Sequence, residues 1–241
     1  METLAVSQKS SNQNGNRLRF ERGTDNLALL GERFTCMTHE GRNVLQRIQA
    51  SVDELSYFAE EREEETMLVN RVQRGVNELR QLFHETREFA GPMILDLGKT
   101  SLRSVVQAAW EQLEVERRNS GATLVIEGDV ECFIDGDRLA QVFRNLLENS
   151  IAAEPDACVR VEIRCLSELT EIHLHDDGPG LDPEQQAHVF EPFFTTKRRG
   201  TGLGMAISQR IVEAHGGRME VRENDPGAHF VVLLPTPTQS A

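Results

Sequence analysis

The chain has 241 residues, 39% of them hydrophobic and 27% charged, with a formal net charge of −13. That length allows one or two domains with a real core in each, and the acidic balance excludes a nucleic-acid surface and electrostatic docking on anionic lipid. No apolar run approaches the roughly 20 residues that span a bilayer, and Met1 leads into polar sequence without a signal-peptide core, so a cytoplasmic protein with no transmembrane segment is expected.

Residues 1–26 are rich in Ser, Asn, Gln and Gly and read as a flexible arm. From Leu27 to Phe58 an apolar stripe includes Phe34, Met37, Leu45, Ile48, Val52 and Leu55, at the spacing of one face of a long helix. A second stripe, Leu68, Val72, Val76, Leu79 and Phe83, runs toward Gly91-Pro92, where a helix should stop. Residues 27–91 are therefore expected to form a helical hairpin. A lone hairpin buries one seam only, so self-association into a four-helix bundle, and hence a homodimer, is the natural remedy.

From residue 92 to 236 short strands alternate with helices, which predicts an α+β fold, and residues 237–241 are a tail. Strands are expected at Thr123–Glu127, Cys132–Ile134, Val159–Cys165, Glu171–Asp176, Arg218–Glu223 and His229–Leu234, and helices at Ser101–Val115, Asp137–Ala153 and Leu203–His215. The segment from Gly180 to Gly200 is polar and contains proline, and should form a mobile cover. Cys36, Cys132, Cys158 and Cys165 form no CxxC pair, so buried thiols are expected rather than zinc ligands or disulfides. His173 and His175 alternate on a strand, but two ligands are too few for a metal site; His84, His188, His215 and His229 read as scattered surface or core positions.

Three segments carry the chemistry. DRLAQVFRNLLENSIAA, residues 137–153, places Asn145 and Asn149 one turn apart on an amphipathic helix; DDGPG, residues 176–180, and GTGLG, residues 200–204, are glycine-rich turns whose backbone N–H groups approach an anion or a flat base closely. GTGLG also opens a helix, whose N-terminal amides make an anion site. Together they describe a nucleotide site. At about 100° per residue, His39 falls opposite the apolar stripe of its helix and faces water, as a nucleophile must. Glu40 beside it is placed to hold the reactive tautomer and take up developing positive charge.

In this order, THEGRN at 38–43, the asparagine helix, DDGPG, FEPFFTTK at 190–197 and GTGLG resemble the H, N, G1, F and G2 boxes of sensor histidine kinases. The resemblance covers roughly Phe34 to Pro235 and implies a dimerisation and phosphoacceptor hairpin followed by a GHKL-type ATP-binding α/β sandwich. It implies ATP-dependent phosphorylation of His39 and transfer to an aspartate on a response-regulator receiver domain. Asn43, one turn beyond His39, corresponds to a residue that positions water for dephosphorylating that regulator, which admits a phosphatase activity. Asp176 corresponds to the carboxylate that accepts a hydrogen bond from the adenine amino group, Gly178 and Gly180 to the turn beneath the base, and Asn149 to the Mg²⁺ ligand, with Asn145 on the same face. Lys197 by family position, and Gly200, Thr201, Gly202, Leu203 and Gly204, complete the expected ATP contacts; Phe190 and Phe193 are expected to anchor the cover on the core.

Related ATPases of the topoisomerase, mismatch-repair and chaperone type carry a water-activating glutamate four residues before the magnesium asparagine. Here Asn145 stands in that place, which favours transfer to imidazole over hydrolysis. The runners-up are a non-catalytic scaffold or phosphotransfer module and an anti-sigma-factor-type serine kinase. With only about 30 residues before the hairpin, too few for a folded sensor, the input is expected from a separate sensor protein unless the chain is a fragment.

Overall fold

The computed structural model describes residues 45–53, 55, 63–197, 200–223 and 226–236. Two units emerge, Met1–Pro92 and Met93–Ala241.

In the first unit, residues 45–53 are helical and bury Leu45 and Val52; the rest of the helix expected over 27–58 lies outside the described residues, save Leu55. Helix α1, Glu63–Ala90, carries the second stripe and ends where Gly91-Pro92 was expected to stop it. Its last turn holds Arg87, a cation at the negative end of the helix dipole, and the Arg87 carbonyl accepts from Gly91 N–H at 2.8 Å. The two helical segments are tied at Asp53, whose Oδ1 accepts from Gln49 at 2.8 Å and from Gln73 at 3.0 Å. Val76 is buried, but Leu68, Val72 and Leu79 of the same stripe stay 59%, 50% and 42% exposed.

The second unit is built from β1 (Gly98–Ser101), α2 (Leu102–Glu111), α3 (Glu114–Arg118), β2 (Thr123–Glu127), β3 (Glu131–Ile134), α4 (Gly136–Ala153), β4 (Cys158–Cys165), β5 (Leu169–His175), α5 (Pro183–His188), α6 (Gly204–Ala214), β6 (Arg218–Arg222) and β7 (His229–Pro235). The main sheet runs β2-β4-β5-β7-β6, with β2 parallel to β4 and every other pair antiparallel; β1 and β3 form a separate antiparallel ribbon. Alternation along the strands sends Val159, Val161, Ile172, Leu174, Val232 and Leu234 to one face. That face meets the helices: Leu234 and Val212 of α6 both crowd Gly217. Helix α4 lies between α2 and α6 and buries Leu139, Phe143, Leu146 and Leu147, so a helical layer covers one side of the sheet. Complete removal of such a side chain from water contributes about 1.5–3 kcal/mol. This is the α/β sandwich expected of a GHKL-type domain.

Local caps set the helix starts. Asp135 Oδ1 accepts from Arg138 N–H at 3.0 Å to begin α4, and Ser101 Oγ accepts from Ser104 N–H at 3.2 Å to begin α2. The single helix expected over Ser101–Val115 is broken into α2 and α3, because the chain tightens at Leu113, whose N–H bonds the Trp110 carbonyl only three residues back while its side chain is buried. Strand β1 carries no apolar alternation and exists only through pairing with β3. The segment expected to form a cover holds a helix of its own: Asp182 and Gln185 make a capping box for the short α5, with Pro183 at its first position. Of the described cysteines only Cys132 is buried; Cys158 and Cys165 are exposed, because each sits at an end of β4 where the sheet no longer shields it.

Candidate functional site

The centre of the site is a buried carboxylate. Asp176, 7% exposed, follows the last residue of β5, and its own N–H donates to the Ala228 carbonyl at 3.1 Å. Oδ1 accepts from Ala228 N–H at 2.9 Å and from Gly178 N–H at 3.1 Å, while Oδ2 accepts from Ser150 Oγ at 2.7 Å. A carboxylate offers about four lone-pair directions. Three are engaged, and these bonds hold the group as an acceptor aimed at a donor such as an exocyclic amine.

Glycines make room around it. A Cβ at Gly227 would stand 1.7 Å from the Asp176 carbonyl oxygen, and one at Gly180, where φ is +74°, would stand 2.8 Å from the Gly227 carbonyl oxygen. The G1 turn thus packs backbone on backbone, which only glycine permits.

Helix α4 supplies the second wall. Asn145 and Asn149 are both half-buried on the side facing α6. Asn145 Nδ2 donates to the Gly204 carbonyl and to Ser208 Oγ, each at 3.1 Å, tying α4 to the first turn of α6. Asn149 Nδ2 reaches Met205 Sδ at 3.2 Å, and its Oδ1 accepts from Lys197 Nζ at 2.6 Å. Desolvation holds the Lys197 ammonium below the usual lysine range, against the opposing pull of Glu148. The third wall is the start of α6, where Leu203 lends no side-chain cap, and the N-terminal amides of a helix suit an anion. Thr201 Oγ1 accepts from Leu203 N–H at 3.3 Å, and Leu203 itself is fully buried. Gly200 N–H donates to the Lys197 carbonyl at 3.2 Å. Gly202, at φ +70°, sits where a Cβ would fall 2.4 Å from the Phe193 carbonyl carbon.

Asn145, Asn149, Asp176, Gly178, Gly180, Lys197 and the GTGLG turn all belong to this one unit, and α4 joins them through three different bonds. His39, Glu40 and Asn43 lie outside the described residues. Phe193 does not anchor the cover through its ring, which is 61% exposed. It takes a positive φ of 68° and ties the cover through its backbone instead, its N–H donating to the Gly202 carbonyl at 2.9 Å. Asp177 is exposed, and its carboxylate accepts from Cys158 N–H at 2.8 Å at the start of β4. Sequence reasoning missed Ser150, Gly227 and Ala228. Ser150 had a signal, one residue past Asn149 on the same helix; the other two had none, because they lie more than fifty positions from Asp176 and reach it only when β7 pairs with β5.

The residues fit both groups that the motifs imply. Gly178 keeps the Asp176 carboxylate clear of a neighbouring side chain, since a Cβ there would stand 3.2 Å from Oδ1. Asn149 Oδ1 is a hard oxygen that already accepts a cation, the Lys197 ammonium, and Mg²⁺ needs few protein ligands when phosphates and water complete its shell.

Residues 134–238 match the family model of histidine kinase-, DNA gyrase B- and HSP90-like ATPases. The signal transduction histidine-protein kinase AtoS of Escherichia coli (strain K12) is 31% identical over 217 residues, covering 88% of this chain and 36% of AtoS. Sensor histidine kinase ZraS of Klebsiella oxytoca is also 31% identical, over 88% of this chain and 47% of its own length. The chain thus spans between a third and a half of these curated relatives. Among crystal structures, full-length ShkA in complex with AMPPNP superposes with a TM-score of 0.74 at 22% identity, over 87% of this chain and 47% of ShkA. Histidine kinase ThkA in complex with response regulator protein TrrA superposes with a TM-score of 0.65 at 22% identity, over 99% of this chain and 70% of that one. Residues 134–238 thus carry the histidine kinase-, DNA gyrase B- and HSP90-like ATPase fold around Asp176, and the chain is similar to sensor histidine kinases over most of its length.

Proposed function

We propose that this chain is an ATP-dependent protein histidine kinase of a two-component system, which phosphorylates its own His39 and passes the phosphoryl group to an aspartate of a response-regulator receiver domain. The observation that carries the reading is the Asp176 carboxylate, held by Ser150, Gly178 and Ala228 and leaving one direction for an adenine amino group. ATP supplies the γ-phosphoryl group and Mg²⁺ neutralises phosphate charge. Asp176 selects and orients the base. Asn149 Oδ1 would hold the metal, Lys197 Nζ would neutralise phosphate, and the start of α6, without a side-chain cap, would accept anionic oxygen. Asn145 stands where hydrolytic relatives place their general base, and an amide cannot deprotonate water, so the site preserves the nucleotide for transfer rather than hydrolysis.

On the other unit, the His39 imidazole acts as nucleophile, Glu40 holds its tautomer and accepts positive charge, and Asn43 positions water for dephosphorylating the regulator. The working assembly is a cytoplasmic homodimer of residues 27–91 hairpins, with residues 92–236 as the catalytic domain, partnered by a receiver domain and a separate sensor protein. The ThkA complex with TrrA supports a receiver partner. Replacing His39→Gln should abolish acid-labile incorporation of label from γ-labelled ATP while nucleotide binding stays at the wild-type value; persistent acid-labile labelling would refute His39 as the acceptor, and acid-stable labelling would identify a serine kinase.

A further inference from the structure

The face of the sheet that points away from the helices carries three imidazoles at adjoining positions. His173 and His175 follow each other on that face of β5, and His229 on β7 is the register partner of His175. A ring nitrogen from each of the three lies within 4.8 Å of the other two. His173 Nδ1 is 3.0 Å from His229 Nε2, and the His175 and His229 rings stack with centroids 3.8 Å apart. Two nitrogens of a tetrahedral ion with bonds of about 2.1 Å stand roughly 3.4 Å apart, so the His173–His229 pair has close to the right bite, and the stacked His175 ring must turn about its side-chain torsions to bring its nitrogen to the same ion.

The protonation pattern is fixed by a neighbour. Glu171 Oε2 lies 3.0 Å from His173 Nε2, and a carboxylate only accepts, so Nε2 carries the proton and Nδ1 presents its lone pair toward His229. This is the carboxylate-to-histidine arrangement that orients metal-bound imidazoles. Burial first, and then His175 and His173, push His229 down to about 4; burial likewise lowers His175, against the opposing pull of Glu162. These two rings are therefore neutral near pH 7, the form that ligates. His173 and His229 are buried, while the half-buried His175 leaves a path from solvent. Facing the cluster on the neighbouring strands are Arg160 and Glu162 on β4 and Arg222 on β6; Arg222 is paired to Glu220 at 3.1 Å.

We propose that His173, His175 and His229 form a binding site for a divalent transition-metal ion of the zinc type, with Glu171 orienting His173 and solvent completing the shell. Imidazole suits zinc, copper and nickel, whereas Mg²⁺ selects oxygen, so this site is chemically separate from the one at Asn149. On binding, the Nε2 proton of His229 is exchanged through solvent to Nδ1, which frees Nε2 as the ligand atom. The ion would clamp the rung that ends at the nucleotide pocket: His175 immediately precedes Asp176, and His229 immediately follows Ala228, whose N–H holds Asp176. The proposal rests on this cluster alone and stands apart from the kinase reading.

The test is calorimetric titration of the full chain with Zn²⁺ alone, without nucleotide, together with the visible absorption of the Co²⁺ form. One ion per chain and a tetrahedral Co²⁺ spectrum are expected. His229→Gln and His175→Gln should each weaken binding at least about tenfold, and Glu171→Gln by about ten- to a hundredfold. Circular dichroism checks each fold; should the buried His229 variant fail to fold, the more exposed His175 variant carries the test. No saturable binding by the parent chain, or unchanged affinity in the folded His175→Gln protein, would overturn the site.

Discussion

Asp176 works because of what its own oxygens are already bonded to. Its two N–H donors come from the backbone of the G1 turn and of the β7 entry, but the third donor, Ser150 Oγ, comes from α4 and links the carboxylate to the helix that carries Asn149. A hydrogen bond to a charged group contributes about 1.5–3 kcal/mol. Ser150→Ala should therefore lower the unfolding free energy by an amount in that range, read by chemical denaturation. It should also weaken binding of a fluorescent ATP analogue, because the carboxylate loses the bond that fixes its rotation; full analogue affinity in a folded variant would show that Ser150 contributes packing alone. Lys197 illustrates a different economy. Its ammonium satisfies Asn149 Oδ1, and in the proposed function it would turn to phosphate and leave that oxygen to a metal.

At the scale of elements, the β5–β7 pairing is the organising feature, since it joins Asp176 to Ala228 on one side of the strand ends and His175 to His229 beside them. The histidine cluster gives this pairing a pH dependence. His229 is held near 4 in the folded chain, mainly by burial, and its unfolded value is 6.5. As pH falls below about 6.5 the unfolded chain takes up a proton that the folded chain refuses, so the contribution is present above that pH and is lost progressively as pH approaches 4. Chemical unfolding from pH 7 to pH 4 should show this loss, of order 2–3 kcal/mol, and His229→Gln should flatten the profile. An identical slope in that variant would move the effect to other groups.

At the scale of the whole molecule, α1 presents Leu68, Val72 and Leu79 at 59%, 50% and 42% exposure, a stripe with helical spacing on one element. Such a stripe is the face a second hairpin would cover in a four-helix bundle. Val72→Glu should shift the chain from dimer to monomer in sedimentation experiments, because a carboxylate in an apolar seam must either be desolvated or break it. A monomeric parent chain would defeat the dimer reading. No helix among the described residues is long and apolar enough to cross a membrane.

The elements that the sequence determined by itself are those whose order is local. The spacing of Leu68 to Phe83 and the Gly91-Pro92 stop delimit α1, alternation marks β2 and β4 and a continuous apolar run marks β7, each to within a residue or two, and the glycine turns mark the loops around Asp176, since periodicity and backbone freedom are properties of neighbouring residues. Tertiary structure decided what depends on pairing across the chain. Strand β1 has no pattern of its own, Phe193 gave up its ring contact for a backbone bond to Gly202, and Ala228 became a ligand of Asp176 from 52 positions away. The same is true of His229, whose place beside His173 and His175 follows from antiparallel register, a quantity that no single strand encodes.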